Sequence, residues 1–449
     1  MRCSLLLVLL VGCASASPSL RAELNGAAPA RDETPSVDGS LASYVALAMH
    51  RSSRVEAAYE RWHASVERVG AAARMPDPVV TYAFYARPVQ TRVGPQNHRV
   101  GVRQGFLAPG VLSAANDAAE ATARAAQQRF EAEALMVRSQ VASAFWRLWQ
   151  IDRARTIRRE QLNVLETLAE ALRGRVEAGQ VSVSELMQLD LRRARRQDEL
   201  DGLEEQERAA RAQLEAALGA EIEGSVDASD AELNAIGELS FDEDMLAQIA
   251  ADHPLLESYR FDALSAEASA RARRASRRPT FSLGAEWIIT GTREDTMTPV
   301  ANDGDDALIV SLGMSVPIFG GAEAAGARAA EAEANASRAT RQALEDEARG
   351  RVAVLVARLR DAQRRARLFE ATLIPQAVGV YESMSSAYVI GQTTLASTML
   401  AAEELLALQL GQLEVQVSLG VLLAELEQLL GRAIPSRSDI NAREASADQ

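Results

Sequence analysis

Residues 111–178 contain no proline and one interior glycine, Gly174. A helix over that run of roughly 68 residues would rise about 100 Å at ~1.5 Å per residue. Helices of ordinary globular proteins run only about 8–20 residues. The run is fed by VGVRQGFLAPG (Val100–Gly110), an alternating strand closed by a Pro-Gly turn. Any fold for this chain must give that helix partners along its length and explain the strand at its head.

The composition agrees with long packed helices. Aromatic residues are 4% and charged residues 24% of the 449, and an Ala/Glu/Leu/Arg-rich chain of this kind points to coiled-coil packing. A net charge of −14 argues against nucleic acid as a partner. The only cysteines are Cys3 and Cys13, so the folded body has no disulfide and no thiolate metal site. Arg2 followed by the apolar run Leu5–Val11 reads as an export signal over residues 1–12. Leu10-Val11-Gly12-Cys13 resembles a bacterial lipobox, which makes Cys13 the expected lipidation site. Residues 13–40, rich in Ser, Ala and Pro, read as a lipid-anchored linker. No later segment has 18 consecutive apolar residues, so a membrane crossing would have to use β-strands.

Taken in order, Leu41 to about Arg74 is expected as a helix, broken by Met75-Pro76-Asp77-Pro78. Val79–Arg87 is a strand with Val80, Tyr82, Phe84 and Ala86 on one face, and Gln90–Asn97 is a polar loop. The opening strand and long helix follow, then a helix over Val183–Leu218 closed by Gly219. After an acidic connector (220–240) the same layout returns. A helix over Phe241–Arg278 is interrupted at Asp252-His253-Pro254; strands lie at Thr280–Ile289 and from Val310. A second long helix runs from about Ala322 to Ile390, and a last helix covers Leu395–Leu430. An offset of 212 residues (391 − 179) carries Gly179-Gln180 onto Gly391-Gln392, and the same offset carries Leu218-Gly219 onto Leu430-Gly431. The chain is therefore read as a tandem duplication, with repeats at 41–219 and 241–431 and a polar tail at 432–449.

Each strand has one continuous apolar face and one small or polar face. Phe281, Leu283, Trp287 and Ile289 alternate with Thr280, Ser282, Gly284 and Glu286. That two-residue period, with apolar groups outward and polar groups inward, belongs to outer-membrane barrels. Four strands cannot close a barrel, since the smallest have about eight, and unpaired edges facing lipid cost several kcal/mol per group. Oligomerisation is required; three copies would supply twelve strands, though the residues alone do not set the number. The helices reach the same conclusion. In each repeat the two shorter helices, stacked end to end, match the long one, so each repeat supplies two columns for a helical cylinder. Alanines such as Ala114, Ala118, Ala121 and Ala125 permit close helix approach.

Over essentially its mature length the sequence resembles the TolC-type outer membrane efflux family. The resemblance rests on the two-copy layout, the lipobox, PIFGG (Pro317–Gly321), and AGQVSVSEL (Ala178–Leu186) with IGQTTLAST (Ile390–Thr398). LIPQA (Leu373–Ala377) followed by AYVIGQ (Ala387–Gln392) completes the pattern. The resemblance implies a mostly α protomer with a small β part, contributing four strands to a trimeric, twelve-stranded outer-membrane β-barrel continuous with a periplasmic helical tunnel. It implies an exit duct of a tripartite efflux or type I secretion system, in the outer membrane of a Gram-negative bacterium. Its partners would be two further copies, outer-membrane lipid, a periplasmic adaptor and an inner-membrane pump. The turns at Gly179-Gln180 and Gly391-Gln392 would form the adaptor-facing mouth. Some family members carry acidic rings six and nine residues beyond the second tip glycine. Here those positions are Ser397 and Leu400, while the first repeat has Glu185 and Gln188. A charged constriction would therefore rest on Glu185.

No catalytic, cofactor or metal motif is present: there is no GxSxG, P-loop or HExxH, and His50, His63, His98 and His253 are widely spaced. His50 and His253 occupy similar positions in the two repeats and are read as helix-end residues. Pro375 should kink the second long helix. Arg271–Arg278 (RARRASRR) is read as a solvated collar or a contact for anionic headgroups, and Arg192, Arg193, Arg195 and Arg196 as partners of Glu199, Glu204 and Glu205. Two rival readings are a periplasmic adaptor and a structural coiled-coil lipoprotein without a pore. The adaptor would need one helical hairpin flanked by β-rich modules, whereas this chain has two hairpins.

Overall fold

A computed structural model describes residues 18–28, 35–72, 74–222, 224–228, 242–293 and 301–432. Cys13, the expected signal and the tail from 433 onward lie outside them, as do parts of the linker and connector. Two compact units can be distinguished.

The first unit comprises residues 1–27, 60–127 and 257–342. Its sheet has strands β1 (Val79–Thr91), β2 (Gly94–Phe106), β3 (Thr280–Thr290) and β4 (Ala307–Ser315), antiparallel in the order β1-β2-β3-β4. The register aligns the apolar residues in rows. Tyr82, Val100, Trp287 and Leu308 form one; Val80, Val102, Ala285 and Val310 the next; and Phe106, Phe281 and Met314 the last. The opposite face carries Thr81, Gly101, Glu286 and Ile309 in one row and Ala83, Arg99, Ile288 and Ala307 in another. There Arg99 pairs with Glu286 at 3.2 Å. The expected faces are thus present. In the single chain the apolar face is open to water: Val310 is 73% and Leu312 77% exposed. Among the described residues, the outer strands β1 and β4 each leave one edge without a strand neighbour.

The polar loop expected over Gln90–Asn97 is instead mostly strand. Thr91 pairs with Gly94, leaving Arg92 and Val93 as a two-residue turn. Gly94 sits at φ +127, where a side chain is strained and a Cβ would overlap the carbonyl oxygen of Gly291. The Gly291 amide donates to the Pro95 carbonyl at 2.7 Å. Pro95 is tolerated because it sits at the turn end of its strand.

Helices complete this unit: α1 (Pro18–Gly26), most of α3 (Ser53–Ala72) and the first part of α4 (Val111–Glu177), with most of α7 (Pro254–Ala275) and the first part of α8 (Gly321–Leu368). Residues 18–26, read above as linker, are helical because Leu20 and Leu24 share a face one turn apart, and both are buried. Arg21 reaches Glu67 at 3.3 Å, and Glu23 reaches Arg124 at 2.5 Å. Ala114, Ala123 and Ala125 are buried, whereas Ala118 and Ala121 are half-buried. The Ser265 hydroxyl donates to the Ala118 carbonyl at 2.9 Å, which requires close backbones.

The second unit comprises residues 28–59, 128–256 and 343–449. It holds α2 (Leu41–Arg51), the remainder of α4, α5 (Val183–Leu218) and α6 (Glu243–Ala250). The remainder of α8, α9 (Ile374–Val389) and α10 (Leu395–Leu430) complete it. Tyr44, Phe145, Trp146, Trp149, Leu214, Val352, Leu359 and Leu413 belong to one core. Among the described helices, α10 is long and apolar enough to cross a membrane by length and composition. It is instead a core helix, with Leu406, Leu413, Val417, Gly420, Ala424 and Leu426 all buried.

The expected single helix over 41–74 is two helices, α2 and α3, parted at the extended residue Ser52. Its counterpart is the expected break at His253-Pro254 between α6 and α7. Each break meets a closing glycine in the left-handed conformation. A Cβ on Gly219 would lie 3.1 Å from the Arg51 carbonyl oxygen, and one on Gly431 3.0 Å from the Pro254 ring. At the second junction the His253 Nδ1 accepts the Leu255 amide at 3.0 Å, while Nε2 lies 3.0 Å from the Gln428 carbonyl oxygen. That geometry needs a neutral ring, with Nε2–H donating. Burial holds its pKa below the ordinary imidazole value, against the Gln428 carbonyl, which raises it. The unfolded state therefore binds the proton more tightly, and stability is lost as pH falls through the unfolded imidazole pKa of about 6.5. We expect the melting temperature to fall between about pH 7.5 and pH 5.5. His253→Asn, which keeps a capping acceptor but cannot titrate, should reduce that fall; an unchanged pH dependence would contradict the assignment.

Pro375 does not act alone. A π-turn, Phe369–Leu373, separates α8 from α9, with the Ile374 amide bonded to the Phe369 carbonyl. The one-residue π insertion shifts the hydrogen-bond ladder just ahead of the donor that proline lacks. It also sets the buried Phe369 ring against Gly411, where a Cβ would lie 3.1 Å from the ring. α4 has no such interruption over its 67 residues.

Candidate functional site

The two tips, where α4 turns into α5 and α9 into α10, lie in the second unit and share one local design. Gly179 (φ +68) and Gly391 (φ +77) adopt the left-handed conformation, which glycine enters without steric cost. The Gln180 amide donates to the Arg175 carbonyl at 2.9 Å, and the Gln392 amide to that of Ala387 at 2.8 Å. Both are Schellman closures that satisfy the last carbonyls of the incoming helix. The outgoing helices are capped at equivalent positions. Ser182 accepts from the Ser184 amide at 3.0 Å, and Thr394 from the Ser397 amide at 3.2 Å.

Glu185 and Ser397 are therefore third residues of the outgoing helices, a position that favours a carboxylate near the helix N-terminus. Gly179, Gln180, Gln188, Gly391, Gln392, Ser397 and Leu400 are exposed, and Glu185 is half-buried. The tips also meet. Leu165, Leu172 and Leu189 share a small core with Leu395 and Met399, and the Arg175 guanidinium stands 5.4 Å over the Tyr388 ring. Burial raises the Tyr388 phenol above its ordinary pKa; Arg175 lowers it, and the Glu185 charge raises it. Glu185 thus acts electrostatically on a side chain of the other repeat.

The arginine-rich stretch of α5 is used differently from the expectation. Arg196 pairs with Glu199 at 2.6 Å, as read from the sequence. Arg192 pairs instead with Glu403 on α10, and Arg193 with Asp190 at 3.0 Å and Glu166 at 3.5 Å. Glu204 is taken by Arg155 and Glu205 by Arg208. The facing helices α4 and α10 offer partners that no spacing along α5 could reveal. The reading above also missed an apolar stripe. Val183, Met187 and Leu191 follow each other one turn apart on α5 and are more than half exposed, as are Val389, Ile390 and Leu400 in the second repeat. Their four-residue spacing was the available signal. Among the described residues no three His, Cys, Asp or Glu side chains gather to hold a metal.

The family model for outer membrane efflux proteins matches residues 245–432. No curated protein matches the chain. Among solved structures, the outer membrane protein VceC from Vibrio cholerae is similar, at 21% identity and a TM-score of 0.67. That match covers 88% of this chain and 96% of that one. The CmeC outer membrane channel of Campylobacter jejuni is similar at 14% identity and a TM-score of 0.68, covering 92% and 89%. CusC, whose structures concern transmembrane channel formation, is similar at 15% identity and a TM-score of 0.71, covering 89% and 94%. At these identities the likeness is one of fold, and it extends over both repeats. The match to the outer membrane efflux protein model spans the second repeat, and the fold shared with these outer membrane proteins extends over the first repeat as well.

Proposed function

We propose that this chain is the outer-membrane exit duct of a tripartite efflux or type I secretion system, conducting passively what an inner-membrane pump delivers through a periplasmic adaptor. The observation that carries the reading is the open four-stranded sheet. Its apolar face is exposed to water in one chain, and among the described residues its two edges lack strand neighbours. Both defects are removed if three copies close a twelve-stranded barrel in the outer membrane of a Gram-negative bacterium, with Arg99 and Glu286 facing a water-filled lumen. Cys13 would carry the lipid anchor. The tips would meet the adaptor's helical hairpins through the Val183, Met187 and Leu191 stripe and the exposed Gly179-Gln180 and Gly391-Gln392 turns. The test is reconstitution of protein from outer-membrane fractions. Heat-modifiable trimers with single-channel conductance are expected; a soluble monomer without conductance would remove the proposal.

Glu185 is the carboxylate that would ring the mouth. Glu185→Gln should weaken the cation preference and the cation block of the reconstituted channel, leaving trimer content unchanged. Unaltered selectivity and block in planar bilayers would show that the mouth is not charged through this residue.

A further inference from the structure

The end of the sheet nearest the long helices carries a second surface. Phe106, Phe281 and Met314 form the last apolar row. Beyond it the chain leaves β4 through Val316, Ile318 and Phe319, and the last two are 77% and 90% exposed. A phenylalanine so exposed continues an apolar face rather than standing singly. Beside it lies the C-terminal end of the arginine run. Arg271, Arg273 and Arg274 are committed to Asp117, Glu323 and Glu331. Arg277 and Arg278 are not: among the described residues no carboxylate lies within ion-pair distance of either. Both are exposed and lie at the two turns that end the strands. The Arg277 Nε is 3.5 Å from where a Cβ on Gly320 would stand, and Arg278 donates to the Pro109 carbonyl at 3.1 Å. The nearby acid Asp77 is paired with Arg74 at 2.6 Å.

We propose that this rim is a binding site for an anionic phospholipid of the periplasm-facing leaflet. The Arg277 and Arg278 guanidiniums hold the headgroup phosphate, and Ile318 and Phe319 lie against the acyl chains. The assignment rests on the outer-membrane reading above. Guanidinium forks match phosphate oxygens in two-point contacts, and two unneutralised arginines beside an apolar surface complement a lipid that is anionic at its head and apolar below.

The test uses full-length trimers placed in vesicles of equal phosphatidylglycerol and phosphatidylcholine, then released into mild detergent for native mass spectrometry of the retained lipid. Wild type should retain phosphatidylglycerol over phosphatidylcholine by about tenfold, in line with the attraction of each arginine to an anionic surface. Arg277→Gln with Arg278→Gln should erase the preference, while Arg277→Lys with Arg278→Lys should keep most of it. Inserted, conducting trimers with no lipid preference would overturn the rim assignment and leave the channel reading standing; protein that never inserts would instead defeat the channel reading. Displacement of the lipid by inorganic phosphate alone would identify a simple anion site. Equal protection of Ile318 and Phe319 from exchange in lipid-free trimers would identify a contact between copies. Either outcome would also overturn the proposal.

Discussion

Gly420→Ala should destabilise the protein by about 3 kcal/mol, an unusually large effect for one added methyl group. A Cβ built on Gly420 of α10 overlaps the indole of Trp146 on α4. Trp146 is held on two sides, packed edge-on against Phe145 at 5.5 Å and Trp149 at 5.6 Å, and is itself buried. In a core packed near crystal density, such an overlap must be relieved by moving a helix or an aromatic ring off its rotamer. The expected readout is a melting temperature lower by about 5 °C or more, with fewer heat-resistant oligomers. Gly202→Ala is the control. It lies within α5 with nothing within 4 Å of its Cβ position, so the higher helix propensity of alanine should leave stability unchanged or raise it by up to about 1 kcal/mol. Equal behaviour of the two variants would contradict the close α4–α10 contact.

The second large effect concerns the two faces of β4. Leu312→Arg places a charge on the apolar face, in the row of Leu283, where a cation at the bilayer midplane costs about 2–4 kcal/mol in each copy. Insertion should fail or fall severely, seen as loss of the protein from outer-membrane fractions. Ile309→Arg introduces the same charge only three residues away, but on the opposite face, in the row of Glu286. It should insert normally and shift conductance toward anions. The contrast separates this reading from a general intolerance of charge in the strand: equal loss of both variants would contradict the face assignment.

The fold and tips differ in how far their residues announce them. Gly179 and Gly391 could be placed because a left-handed helix closure has few alternatives to glycine, and the 212-residue offset doubled the signal. The helices Val183–Leu218 and Leu395–Leu430 begin and end at the residues their capping signals mark. The faces of the strands were equally legible, since a two-residue period leaves only two assignments. Features created by tertiary contact were not. Ser52 breaks a helix without proline or glycine. The Arg92-Val93 turn has none of the Asn-Gly chemistry that marks a two-residue hairpin. The π-turn at Phe369 needs Gly411 beside it, and the Glu403 partner of Arg192 lies 211 residues away. At the tips, the absence of acids at Ser397 and Leu400 is visible in the sequence. The exposed Val183, Met187 and Leu191 stripe is present in the four-residue periodicity, but spacing alone does not distinguish an exposed apolar stripe from one buried against a neighbouring helix.

The central claim is that the open edges of the sheet meet across chains to close a membrane pore. Cysteine cross-linking between the edge strands tests it directly. Thr81→Cys on β1 would be combined in turn with Ile309→Cys, Ser311→Cys and Gly313→Cys on β4, all on the polar face. Oxidation of membrane-inserted protein should give, for at least one pairing, an inter-chain product that stops at three chains and still conducts. No inter-chain product from any pairing, or ladders that extend without stopping at three, would contradict the closed trimeric barrel.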